Sequence, residues 1–159
     1  MRIKLASLAI SLIILPAVAF AALRGTPLDS FKYVTREDIA KQLMTTWPNE
    51  AYASAFMNDH ETFFVEFVKR QDHGNYVEHH AHWIDQTTIL SGEGILMVGG
   101  KIEDAREIQP GEIRGHKQTG ARTIRVKTGD FVLIPPNTPH HFDALPGTVL
   151  NYVVYKHRV

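Results

Sequence analysis

The chain has no cysteine. That absence removes disulfide frameworks, thiol nucleophiles and thioether lipid attachment from consideration. There is no excess of either charge, since 17 basic residues face 17 acidic ones. That balance argues against a nucleic-acid partner, which would need a basic surface. Repeats, coiled-coil heptads and low-complexity tails are missing as well. No Gly-x-Ser-x-Gly nucleophile elbow occurs. Long apolar runs are nearly missing too: the one that exists, Leu5 to Val18, is shorter than the roughly 20 residues a membrane-spanning helix takes.

That run has the marks of an export leader. Arg2 and Lys4 precede it, and Ala19-Phe20-Ala21 supplies the small-x-small pattern of a signal peptidase site. The expectation is a signal peptide over residues 1–21 and a periplasmic or extracellular protein, with no membrane contact after cleavage. The remaining 138 residues suffice for one domain, and losing Arg2 and Lys4 leaves 15 basic against 17 acidic residues, a net charge of −2. An exported chain without disulfides must be held by its core or by oligomerisation.

Gly25 and Pro27 make residues 23–30 read as an extended arm. One helix follows, with Thr35 as N-cap, Glu37 and Asp38 at its positive start, and Ile39, Leu43 and Met44 on one stripe. Trp47-Pro48-Asn49 should end it. From Glu61 onward the pattern is that of strands: 62–68, 75–83, 87–90, 95–98, 123–126, 131–134 and 149–155, each bounded by Gly, Pro, Asp or Asn. Short strands about ten residues apart indicate a mainly β sandwich or barrel over residues 61–159, preceded by an arm and helix over 22–60. Phe63, Phe64, Phe67, Phe131 and Phe142 read as its core.

Two segments concentrate polar chemistry. The first is Glu78-His79-His80-Ala81-His82-Trp83-Ile84-Asp85-Gln86. On a continuous strand His80 and His82 point the same way, and both imidazoles could reach one ion about 2.0–2.2 Å away. A carboxylate brought back by a turn would complete a facial ligand set. A solvated polar face made of Tyr76, Glu78, His80 and His82 explains the same alternation without any metal. The second segment runs from Gly129-Asp130 through the apolar Phe131–Ile134 to Pro135-Pro136-Asn137-Thr138-Pro139-His140-His141. Asn137 tolerates positive φ, so the chain can reverse there and start a new strand at His140, able to face the first histidines.

These segments resemble the paired motifs of the cupin superfamily, whose domains are small jelly-roll β-barrels. The first family motif is Gly, a spacer, His-x-His, three or four residues, Glu, six residues, Gly. The second is Gly, five residues, Pro-x-Gly, two residues, His, three residues, Asn. His80-Ala81-His82 matches the histidine pair, with Gly92 six residues beyond Asp85, and Gly129, Pro135 and His140 match the second motif. The chain departs in three places. Only two residues separate His82 from Asp85, Asn137 stands for glycine, and Ala144 stands for the terminal asparagine.

The resemblance implies His80, His82, Asp85 and His140 as ligands of a divalent transition metal (iron, manganese, nickel, copper or zinc). Gln86 is the alternative to Asp85, and His79 or His141 are alternative neighbours. Glu78 and His141 are the candidates for moving protons. The implied protein is a metal-dependent enzyme of dioxygenase, isomerase or lyase type acting on a small molecule, or a metal-free cupin module that binds a small ligand or has a structural role. A homodimer is expected. His60, His73, His116 and His157 stand alone, and residues 111–120 read as hairpin turns, because their glycines lack a phosphate loop's Lys-Ser/Thr pair.

Overall fold

The computed structural model describes residues 33–46, 52–59, 62–71 and 76–159, with side chains given for all but 42–46 and 52–59. The expected leader, the arm, the Trp47-Pro48-Asn49 helix stop, His60 and the turn at His73 lie outside the described residues. Val34–Val159 gathers into one compact unit.

Helix α1 spans Arg36–Thr46 and begins where the sequence places its cap. The Asp38 backbone N–H donates to Thr35 Oγ1 at 3.0 Å, and Asp38 Oδ2 accepts from the Thr35 N–H and hydroxyl at 3.2 and 2.7 Å. This is a reciprocal capping box with aspartate in the acid's position. Among the described residues no helix is long and apolar enough to cross a membrane.

Among the described residues thirteen strands follow. They are β1 (Tyr52–Asp59), β2 (Phe63–Arg70), β3 (Val77–His80), β4 (Trp83–Ser91), β5 (Glu93–Val98), β6 (Lys101–Ile102) and β7 (Arg106–Gln109). Then come β8 (Glu112–Gly115), β9 (Gln118–Thr119), β10 (Arg122–Lys127), β11 (Phe131–Ile134), β12 (His140–Ala144) and β13 (Leu150–Arg158). The order β1-β2-β13-β4-β11 makes one sheet, β10-β5-β12-β3-β8-β7 a second, and β6-β9 a small third. The protein is thus mainly β, with the cupin jelly-roll arrangement. Its two large sheets face each other as separate sheets and do not join into one hydrogen-bonded cylinder.

Sequence and structure differ in three places here. β1 pairs with β2 from Tyr52↔Arg70 to Asp59↔Phe64, so the sheet begins before residue 61. The stretch 101–119, where no strand was expected and of which residues 111 onward read as hairpin turns, carries β6 to β9; these strands are short, and β7 is exposed at every position, so no apolar alternation marked it. Phe131, expected in the core, is 59% exposed on the edge strand β11.

The core joins Val68, Ile89, Ile134, Leu150 and Tyr152 of the first sheet to Leu96, Val126, Phe142 and Ala144 of the second. Along three strands the inward positions, two residues apart, change from apolar to ionisable in the same direction. β4 offers Ile89, Thr87, Asp85; β12 offers Ala144, Phe142, His140; β13 offers Leu150, Tyr152, Val154, Lys156, all of them buried. One end of the sandwich is therefore dry core, and the other collects titratable groups.

Candidate metal centre

That second end opens into a cavity of about 1020 Å³ whose lining includes Glu78, His80, Asp85, Glu112, His140 and Lys156. Three local features bring them together. β3 ends at His80, and a bend at Ala81-His82 turns the chain into β4, so Asp85 returns to face His80. The Asn137 turn, at φ 62°, donates its N–H to the His80 carbonyl at 2.7 Å, which seats His140 beside β3. Register pairs His80 with Glu112 and Glu78 with His140.

The ligand atoms of Glu78, His80 and His140 all lie within 4.8 Å of one another. His80 Nε2 is 3.6 Å from Glu78 Oε2 and 3.7 Å from Asp85 Oδ2. His140 Nε2 is 3.3 Å from Asp85 Oδ2 and 4.0 Å from Glu78 Oε2. Donors about 2.0–2.2 Å from one ion stand up to roughly 4.4 Å apart, so these separations suit a single centre. Both rings are oriented from behind. His80 Nδ1 donates to Glu112 Oε2 at 2.6 Å, and His140 Nδ1 donates to the Thr138 carbonyl at 2.9 Å. In the neutral ring each inward Nε2 then carries the lone pair, the tautomer that metal ligation uses. Asp85 Oδ1 is buried without a hydrogen-bond partner among the described residues, so the set retains accepting capacity.

A lysine reaches the same point. Lys156 Nζ lies 2.6 Å from His80 Nε2 and 2.9 Å from Asp85 Oδ2, with a side chain 7% exposed. Only one proton fits between two nitrogens that close. With its Nδ1–H donated to Glu112, the neutral His80 ring offers Nε2 as an acceptor, so the proton between them is donated by the lysine.

Charge balance sets the acidities. Burial works against ionising Asp85, but His140, which donates from Nε2 when its ring carries both protons, and the charge of Lys156 outweigh it and lower its pKa to about 2. Burial also opposes the Glu78 carboxylate, which His80, Lys156 and Arg114 nonetheless hold well below the usual range. His80 is disfavoured as a cation by burial, yet its contacts with Glu112 and Glu78 raise its pKa. Arg114 ties the outer carboxylates together, 3.4 Å from Glu78 and 3.2 Å from Glu112.

Of the residues singled out in sequence, the structure brings together His80, Asp85, His140 and Glu78. His82 is not with them, because period-two alternation lapses at the bend that ends β3. It is exposed, and its carbonyl accepts from the Val159 N–H. Gln86 lies outside the cavity lining and contacts His157 Nδ1 at 3.0 Å. His79 also lies outside that lining, while His141 lies within it, its Nδ1 3.0 Å from Gln118 Oε1. His116 and His157 are exposed. The first motif is therefore better matched two residues earlier: Glu78-His79-His80, four residues, Asp85, six residues, Gly92. The short spacer disappears in that register, and Glu78 stands where the family has its first histidine. Sequence reading missed Lys156, Glu112 and Arg114. Lys156 had a visible signal, as a lysine in phase with Leu150, Tyr152 and Val154; Glu112 depended on the unrecognised strand β8.

No protein-family model matches the sequence, and no curated protein does. Solved structures do resemble the fold. The polyketide cyclase RemF from Streptomyces resistomycificus is 19% identical, over 80% of this chain and 81% of that one, with a TM-score of 0.52. The Cnp3 cupin domain of Schizosaccharomyces pombe is 14% identical over 70% and 67%, with a TM-score of 0.52. An FeII form of HppE is 13% identical over 67% and 51%, with a TM-score of 0.50. The match spans 60% of the length of a cupin-2 domain protein from Rhodospirillum rubrum. At these identities the likeness establishes architecture alone.

Proposed function

The chain carries the cupin fold, and on that premise we propose that it is an exported protein whose cavity holds a divalent transition-metal ion and, beside it, a small molecule. One observation carries this reading. Nε2 of His80 and His140 and carboxylate oxygens of Glu78 and Asp85 converge, with each imidazole fixed in the metal-binding tautomer by a partner behind it. Two imidazoles and two carboxylates suit iron, manganese, nickel, copper or zinc. Such an ion polarises a bound oxygen or activates water.

The chain's own residues do the rest. Glu112 and the Thr138 carbonyl hold the rings in place. Phe64 and Trp83, packed edge to face with centroids 5.2 Å apart, line the cavity on its first-sheet side. Glu78, with 28% of its side chain exposed, is the carboxylate best placed to exchange a proton with a bound molecule, and His141 is the second candidate. The iron(II) form of HppE, a protein of similar architecture, supports the reading. A fold alone does not select a reaction, so dioxygenase, isomerase and lyase chemistry remain equal members of the proposal.

Elemental analysis of the purified protein, with His80→Ala and His140→Ala, tests it. Stoichiometric metal lost in both variants and kept in His82→Ala is expected; a folded wild type that takes up no added metal would end the reading. Lys156 favours a second reading, because an ammonium on His80 and Asp85 lets the cage fold without an ion. The protein would then be a metal-free module that binds a small ligand. Export and a homodimer complete the proposal, the dimer supported by the exposed Phe131 and Leu133 on the edge strand β11.

A further inference from the structure

Lys156 is the last inward residue of β13, the strand whose preceding inward positions are Leu150, Tyr152 and Val154. Its Nζ meets the inward nitrogen of His80 at 2.6 Å and the inner oxygen of Asp85 at 2.9 Å, and it lies 5.9 Å from the centre of the Phe64 ring. An imidazole nitrogen has one lone pair in the ring plane, so His80 Nε2 can serve the lysine or a metal, and not both at once. The oxygen of Asp85 nearest both histidines is the one the lysine uses, while Oδ1 is left without a partner. Charge acts in the same sense. The lysine neutralises carboxylates that an ion would neutralise, and two cations sharing those donors would repel each other strongly in a buried site.

Resting on the metal-centre reading above, we infer that Lys156 is the resident cation of this cage, an alternative occupant that a divalent ion must displace. The lysine-filled state is the folded form without metal, and loading exchanges one cation for another. Withdrawal needs only rotations within the four-carbon stem, into a cavity of about 1020 Å³, and leaves the backbone of β13 in place. Lys156 therefore sets how much metal the protein holds at a given concentration, because apparent affinity falls by the fraction of molecules whose cage is lysine-free.

The test titrates Mn2+ and Zn2+ alone into the wild type, Lys156→Met, Lys156→Gln and His80→Ala, reading affinity by calorimetry and occupancy by elemental analysis after dialysis. Both Lys156 variants should bind about 10- to 100-fold more tightly than wild type, the factor expected if the lysine-filled state holds 90–99% of molecules. His80→Ala should bind weakly. Acetylation of Lys156 in the wild type, followed by peptide mass spectrometry, should accelerate when saturating metal is added. That measurement decides the matter if neither Lys156 variant folds. Equal or weaker binding by folded Lys156 variants, or unchanged acetylation in metal-loaded wild type, overturns the inference and leaves the metal centre standing. Absence of binding in wild type and in variants that keep a cooperative melt overturns the metal centre itself.

Discussion

Asp85 joins β4 to three other groups: His140 at 3.3 Å, Lys156 at 2.9 Å and His80 at 3.7 Å. Its pKa, ordinarily 3.8, is lowered to about 2 in the fold. A depressed carboxylate contributes stability that is complete above the unfolded value and disappears as pH falls through the folded one. In metal-free protein Asp85 should therefore contribute about 2 kcal/mol at neutral pH, lost between roughly pH 4 and pH 2. Urea unfolding measured across that range should show this slope in wild type and a flatter one in Asp85→Asn. Glu112 acts on the opposite group. Burial pulls the His80 pKa down and the Glu112 hydrogen bond pulls it up, so Glu112→Gln should lower it, read from the imidazole shifts in an NMR titration. His80, Asp85 and His140 were legible in sequence through the spacing of two segments that resemble the paired cupin motifs. His82 was misplaced because a two-residue bend breaks the alternation and leaves no compositional mark. Lys156 followed the alternation faithfully, but a lone lysine near the end of a strand reads as surface.

At the scale of elements, the close approach of β5 to β12 rests on Gly94. A Cβ there would run into the Asp143 backbone carbonyl and come within 2.6 Å of Leu150 Cδ2. Gly94→Ala should cost about 1–3 kcal/mol by overpacking, seen as a lower urea midpoint with an unchanged slope. Elements with strong local chemistry were readable: α1 through its Thr35 cap, β11 through its apolar run, the following turn through Asn137. β6 and β9 have two residues each, β7 is polar at three of its four positions, and β8 is only four residues long, so neither length nor periodicity could reveal them. Their loss from the sequence reading was costly, since β8 supplies both Glu112 and Arg114. β1 was hidden differently, in a stretch whose small and polar residues, Ala53, Ser54, Ala55, Asn58 and Asp59, do not mark a strand.

At the scale of the whole molecule, mainly β composition with one leading helix was legible, and so was the convergence of two distant segments. The order of strands in each sheet was not, because pairing across 60 or more residues leaves no local pattern. β13 is an example: it runs between β2 and β4 in the first sheet, though it is last in the chain. The exposed pair Phe131 and Leu133, 59% and 56% accessible on edge strand β11, gives the homodimer its test. Light scattering should return the mass of two chains, and Phe131→Glu with Leu133→Glu should halve it; a monomeric mass for wild type defeats the proposal.

The peptide group between His80 and Ala81 is clasped on both sides. Its oxygen accepts from Asn137, one residue before Thr138 and three before His140, and its N–H donates to the Gly111 carbonyl, one residue before Glu112. Three strands that supply the cage are thus tied to a single amide by main-chain atoms alone. Side chains can be exchanged without disturbing that knot, so such a scaffold is free to trade one chemistry for another: histidine at position 78 would change what the cage prefers to hold while its walls stayed where they are.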